Sequence, residues 1–223
     1  MKKIIFLPFV LVMLISMSAI KKTTIVFFGD SITQAGVKKG GYIDRIQQSI
    51  NDASLADNFE LIGAGIGGNK VYDLYLRMDD DVLSKEPQTV VIYVGINDVW
   101  HKTTSGTGTD KDKYEKFYIA LIKKLQARNI KVALCTPTVI GEKKDNGNPQ
   151  DADLNAYSDV IRKLAVSYNC TLIDLRKMFQ AYEEANNKDN KESGLLTTDR
   201  VHLTDAGNQL VADEMIKQLG IKK

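Results

Sequence analysis

Only two cysteines, two histidines and four prolines occur among the 223 residues, and each scarcity excludes something. Cys135, Cys170, His101 and His202 are too few and too scattered to form a Cys/His cluster with metal-ligand spacing. Two thiols cannot make a disulfide framework, and these two fall near the end of one apparent strand and just before the start of another. In parallel neighbours such positions lie farther apart than the roughly 7 Å between Cα atoms that a bridge tolerates, so both cysteines are expected to be free, buried thiols. No Gly/Ser-rich or Pro-rich linker divides the chain, and no segment of roughly 20 to 50 residues recurs, which excludes a solenoid or repeat array. Charge of one sign is missing as well. The 30 basic residues nearly balance the 28 acidic ones, and they balance fully once Lys2 and Lys3 are set aside. A nucleic-acid partner therefore has no electrostatic support.

What is present begins with a leader. Met1-Lys2-Lys3 precedes an almost uninterrupted apolar run from Ile4 to Met17, followed by the small residues Ser18 and Ala19. A basic start, a short apolar stretch and small residues at its end make the pattern of a signal peptide over residues 1–20. The run is short of the about 20 apolar residues that span a bilayer, although an uncleaved anchor is the alternative reading. No cysteine follows it, against a lipoprotein anchor. The expectation is an exported protein, periplasmic or secreted, with residues 21–223 as one domain, since a length near 200 and 43% hydrophobic content suit a single core.

Short apolar, β-branched runs alternate with amphipathic stretches through that domain. The runs are Thr24 to Phe28, Phe59 to Ile62, Thr89 to Val94, Lys131 to Thr136 and Thr171 to Leu175. Helices are predicted near Tyr42 to Asn51, Val71 to Leu83, Asp112 to Arg128, Asp151 to Tyr168 and Asp205 to Leu219. Five strands with helical crossovers imply a five-stranded parallel sheet covered on both faces, a three-layer α/β/α sandwich. The stretch from Glu183 to Ser193 has no apolar periodicity and reads as a solvated connection, with room for a frayed helix end.

Ligand sites of open parallel sheets form beyond the carboxyl ends of the strands. Gly29-Asp30-Ser31 follows the first run, Gly65-Ile66-Gly67-Gly68-Asn69 the second, and Gly95-Ile96-Asn97-Asp98 the third, with Asp199-Arg200-Val201-His202 before the last helix. Acyl transfer requires a nucleophile, a base, a group that orients the base, and donors for the oxyanion. Ser31 at a strand-to-helix turn suits the first, His202 the second and Asp199 the third. The backbone N–H groups of Ser31 and Gly68, with the Asn97 amide, suit an oxyanion hole. Each residue also has a plainer reading. Ser31 or Asp30 caps a helix, Gly67 makes a turn of positive φ, Asp98 belongs to a polar turn, and Asp199 ties down a loop. His101 is the one other histidine that offers a base. Tyr72, Tyr75 and Trp100 either wall a pocket or are ordinary aromatics of amphipathic helices.

Taken together, Gly29-Asp30-Ser31, Gly68, Gly95-Ile96-Asn97-Asp98 and Asp199-Arg200-Val201-His202 resemble the four sequence blocks of the GDSL/SGNH hydrolases, in that family's order. Asn69 stands where an aspartate often follows the glycine, and Ile32 where leucine is usual. The resemblance implies an SGNH-hydrolase, flavodoxin-like fold and an esterase with Ser31 as nucleophile, His202 and Asp199 completing the triad, and Ser31, Gly68 and Asn97 as oxyanion donors, with no metal or organic cofactor. No long apolar lid interrupts the blocks, so a small acyl group, acetyl, on a carbohydrate is the expected substrate. Alternatives are a lysophospholipase or thioesterase acting on lipid acyl groups, an acyltransferase, and a non-catalytic carbohydrate-binding relative.

Overall fold

A computed structural model describes residues 22–221, so the expected leader at residues 1–20 lies outside the described residues. Five strands, β1 (Thr23–Gly29), β2 (Phe59–Gly65), β3 (Thr89–Tyr93), β4 (Lys131–Cys135) and β5 (Thr171–Ile173), form one sheet in the order β2-β1-β3-β4-β5. All neighbouring pairs are parallel. The central strands β1, β3 and β4 are buried along nearly their whole length because helices cover both faces, which is why they read as continuous apolar runs instead of alternating ones. Among the described residues no helix is long and apolar enough to cross a membrane.

The helices are α1 (Ser31–Gly36), α2 (Tyr42–Asp52), α3 (Val71–Asp81), α4 (Ile96–Thr104), α5 (Lys111–Gln126), α6 (Asp151–Ser167), α7 (Leu175–Asn186) and α8 (Asp205–Leu219). Helix α2 packs beside α8, whereas α3 packs beside α5 and α5 beside α6. The chain runs outward from β1 to β2 and then crosses back over β1 to β3. Right-handed crossovers therefore place the two groups of helices on opposite faces. The reversal leaves a crevice between the carboxyl ends of β1 and β3, where open α/β sheets bind ligands. Gly29 is in register with Gly65 of β2 and Tyr93 of β3, so the three following loops leave the sheet at one edge.

Three helices differ from the expected pattern. Helices α1 and α4 start inside segments that read as polar turns, and both are short. Helix α7 is absent from the expected helices, although Leu175, Phe179 and Tyr182 have helical spacing. The expected fifth strand instead stops at Ile173, where Asp174 caps α7. The stretch from Glu183 onward is consequently not a solvated connection at its start: Glu183 and Asn187 are buried. Cys135 is buried as expected, but Cys170 is partly exposed, since it precedes an edge strand whose first residue is open to solvent. Both thiols are free.

A polar cluster lies beneath the loop that follows β4. Arg176 is buried, pairs with Asp151 at 2.7 Å and donates to the Thr138 carbonyl at 2.9 Å. Nearby, Glu183 is 3% exposed and its buried Oε1 has no hydrogen-bond partner. Burial, aided by the neighbouring Glu142, pushes its pKa up to about 8. An acid whose folded pKa is raised favours folding below its unfolded value and loses that contribution as pH rises through the folded value. Glu183→Gln should therefore leave stability near pH 4 little changed and raise it at pH 9 by on the order of 2–4 kcal/mol. Denaturant unfolding at the two pH values checks this, and an equal effect at both would show that the Glu183 proton plays no part.

Candidate active site

Ser31 opens α1 immediately after β1. Asp30, not Ser31, caps the helix: its Oδ1 accepts from the Ile32 N–H at 3.0 Å. The serine hydroxyl is thereby left for other partners, and its backbone N–H is one of the first-turn amides that a helix does not satisfy internally. Asp30 is buried, which raises its pKa to about 7 against the opposing influence of the Ile32 N–H, His202 and Arg77.

Across the sheet edge, the segment before α8 brings His202 to the serine. The distance from His202 Nε2 to Ser31 Oγ is 3.0 Å, and His202 Nδ1 lies 2.7 Å from Asp199 Oδ2. Asp199 Oδ1 also accepts from the backbone N–H groups of His202 at 2.8 Å and Val201 at 3.2 Å. Partial burial raises the Asp199 pKa, but the His202 N–H, the imidazole and the Val201 N–H outweigh it and hold the carboxyl below its ordinary value. Between the two, Arg200 adopts φ +79°. That left-handed conformation is costly for a residue with a side chain, and it belongs to the turn that folds Asp199 back onto His202. The site is open, with the His202 side chain 39% and the Asp199 side chain 53% exposed.

The turn after β2 closes through Asn69 N–H donating to the Ile66 carbonyl at 3.3 Å. Gly68, its third residue, has φ +77°, the conformation that a type II turn requires at this position and that glycine adopts without cost. The positive φ expected at Gly67 therefore belongs to Gly68. A Cβ on Gly67 would sit 3.9 Å from Ser31 Cβ, so the turn passes directly over the serine. Asn97, in the first turn of α4, is 4% exposed and donates from Nδ2 to the Asn69 carbonyl at 3.0 Å. An amide nitrogen carries two hydrogens, and this bond uses one. Gly95 begins α4 at φ +144°, and a Cβ there would meet the Tyr114 hydroxyl at 2.6 Å.

The structure thus brings together Ser31, His202 and Asp199, with Gly68 and Asn97 beside them. His101 stands apart from the serine–histidine bond. It lies one helical turn after Asn97, with its Cε1 4.0 Å from where a Cβ on Gly68 would be. Burial and the nearby Lys70 lower its pKa. Tyr72 and Tyr75 pack against Phe117 on α5 at centroid distances of 6.3 and 5.7 Å, as surface aromatics of paired helices. Asp98 is more than a turn residue: fully buried, it accepts from the Val71 N–H at 3.2 and 3.3 Å, and burial raises its pKa to about 7.

Sequence reasoning missed Glu142. Its carboxylate accepts from the N–H groups of Leu195 at 2.9 Å, Leu196 at 2.8 Å and Thr197, and from the Thr197 hydroxyl at 2.8 Å. Thr197 then bridges to Leu203, and the Arg200 carbonyl accepts from Gly141 N–H at 2.8 Å. The loop carrying Asp199 and His202 is held by a side chain some 55 residues upstream, with no local signal to mark it.

Residues 27–210 match the profile of the GDSL-like lipase/acylhydrolase family. The chain belongs to that family. As a GDSL-like acylhydrolase it is an ester-hydrolysing enzyme. A solved acetyl xylan esterase, AlAXEase, is 63% identical, superposes with a TM-score of 0.86, and the match covers 87% of this chain and 98% of that one. The acetylxylan esterase of Geobacillus stearothermophilus is 26% identical over 216 residues, covering 89% of this chain and 94% of that protein. An uncharacterized lipoprotein of Bacillus subtilis, YqeF, is 27% identical over 207 residues, covering 84% and 85%. The GDSL-like fold is the expected one, a parallel five-stranded sheet between two layers of helices.

Proposed function

We propose that this esterase is an exported acetylesterase acting on acetylated carbohydrate, with residues 21–223 as its catalytic domain. The observation that carries the mechanism is the relay from Ser31 Oγ through His202 to Asp199, at 3.0 and 2.7 Å. Ser31 attacks the ester carbonyl while His202 Nε2 takes the hydroxyl proton. Asp199 keeps Nδ1 protonated and aimed, and stabilises the imidazolium. The carbonyl oxygen becomes an oxyanion received by the N–H groups of Ser31 and Gly68 and the second amide hydrogen of Asn97. Collapse expels the alcohol, which takes its proton from His202 and leaves acetyl-Ser31. Water, deprotonated by the same histidine, then releases acetate and restores the serine.

Support for the substrate comes from two directions. Relatives at 63% and 26% identity are acetylxylan esterases. The site itself is open and has polar neighbours in Gln34, Lys70, Asn97 and His101, so a long alkyl chain would gain little burial there. Export rests on the leader pattern of residues 1–20. Hydrolysis of p-nitrophenyl acetate, butyrate and decanoate, alongside acetate release from acetylated xylooligosaccharides, tests the reading. Acetate should exceed butyrate in kcat/KM by about 10-fold or more, and the oligosaccharides should be deacetylated. Preference for decanoate with no release from the oligosaccharides would point to lipid substrates instead.

A further inference from the structure

Arg77 has no place in the relay or among the oxyanion donors, yet it touches or reaches three of the four segments that build the site. It stands on α3 with its side chain 15% exposed. Nη2 donates to the carbonyls of Gly29 at 2.8 Å and Ala64 at 3.0 Å, at the carboxyl ends of β1 and β2. Nε donates to Asn69 Oδ1 at 2.7 Å, and Nη1 pairs with Asp81 at 2.6 Å. The guanidinium carbon lies 4.5 Å from the centre of the Phe28 ring. Ser31 follows Gly29 by two residues, Gly68 directly precedes Asn69, and the Asn69 carbonyl receives the Asn97 amide.

We infer that Arg77 is a positioning residue that holds the three oxyanion donors in register. One planar cation ties the strand end before Ser31 to the turn containing Gly68, and through Asn69 it reaches Asn97. The five donors of a guanidinium form a rigid fork, whereas a lysine ammonium is a point charge on a flexible stem and cannot satisfy the same set. A displacement of about 1 Å at a reacting centre costs on the order of 100-fold in rate, so a loosened fork should slow the chemistry more than it weakens binding. The inference rests on the assignment of Ser31, Gly68 and Asn97 proposed above.

The test compares Arg77→Met, Arg77→Lys and Asn69→Ala with the parent enzyme and Ser31→Ala, on p-nitrophenyl acetate. Rates are normalised to intact sites by titration with a fluorophosphonate, so partial unfolding does not pass for slow chemistry. Both Arg77 variants should lose about 30- to 100-fold in kcat with KM within about 3-fold. Asn69→Ala, which removes one partner of the fork, should lose about 5- to 10-fold. Affinity for a boronic acid, a mimic of the tetrahedral intermediate, should fall in step with kcat. If Arg77→Lys keeps the parent kcat per intact site, charge alone suffices and the inference fails. If Arg77→Met does not fold, Arg77→Lys and Asn69→Ala decide. Turnover surviving in Ser31→Ala would overturn the site assignment itself. An inactive Ser31→Ala beside Arg77→Lys and Asn69→Ala enzymes of parent kcat would overturn the role of Arg77 alone.

Discussion

Replacing Ser31 with alanine should lower kcat for ester hydrolysis by about 10⁴- to 10⁶-fold, and replacing His202 with alanine should lower it by a similar factor. In the proposed mechanism the two residues act as a unit. Without the hydroxyl there is no acyl-enzyme, and without the imidazole the hydroxyl keeps its proton. The double variant should accordingly be no slower than either single one by more than about 10-fold. Neither loss is expected to arise from unfolding. Asp30 caps α1, so Ser31→Ala removes no cap, places a good helix former in the first turn and should change stability by less than about 0.5 kcal/mol. Steady-state rates beside denaturant midpoints measure both quantities. A folded Ser31→Ala enzyme with more than about a hundredth of the parent kcat would be incompatible with this nucleophile.

The second large effect is expected at Asn97. Its side chain is 4% exposed and fixed by one bond to the Asn69 carbonyl, and the proposed mechanism gives the other amide hydrogen to the developing oxyanion. Asn97→Ala should reduce kcat by about 10²- to 10³-fold, with KM changed by less than about 3-fold, because the donor is needed when charge develops and much less when the neutral ester binds. The lost bond to Asn69 should cost about 1 kcal/mol in stability. Asn97→Asp is the sharper comparison. Size and shape are kept, but a carboxylate accepts where a donor is required, so kcat should fall at least as far as in Asn97→Ala. A loss confined to KM in either variant would remove Asn97 from the oxyanion hole.

The features legible in the sequence are those governed by local rules. Strands β1, β3 and β4 stand out because burial on both faces makes them apolar without alternation. Ser31, Gly68 and Asn97 stand out because each follows a strand within a few residues, and a parallel sheet delivers all strand ends to one edge. His202 and Asp199 are three residues apart, so their pairing is a property of one turn. What escaped depends on contacts between distant segments. Glu142 supports the His202 loop and Arg77 binds two strand ends, but neither has a neighbour in sequence that marks its role. Glu183 looked solvated because its surroundings in sequence are polar, whereas α7 turns it inward beside Arg176. The positive φ fell on Gly68 and not Gly67 because the hydrogen bond from Asn69 to Ile66 sets the turn frame, and a run of glycines does not reveal that frame.

Covalent capture tests the central claim most directly. A fluorophosphonate reacts with a serine only where a base activates the hydroxyl and an oxyanion hole receives the phosphoryl oxygen, and fluoride leaves as the bond to oxygen forms. Mass spectrometry of the treated enzyme should find one adduct per chain, on the peptide that contains Ser31, with activity lost in proportion. His202→Ala should label far more slowly and Ser31→Ala not at all. Full activity with Ser31 modified, or inactivation of Ser31→Ala at the parent rate through another residue, would contradict the account.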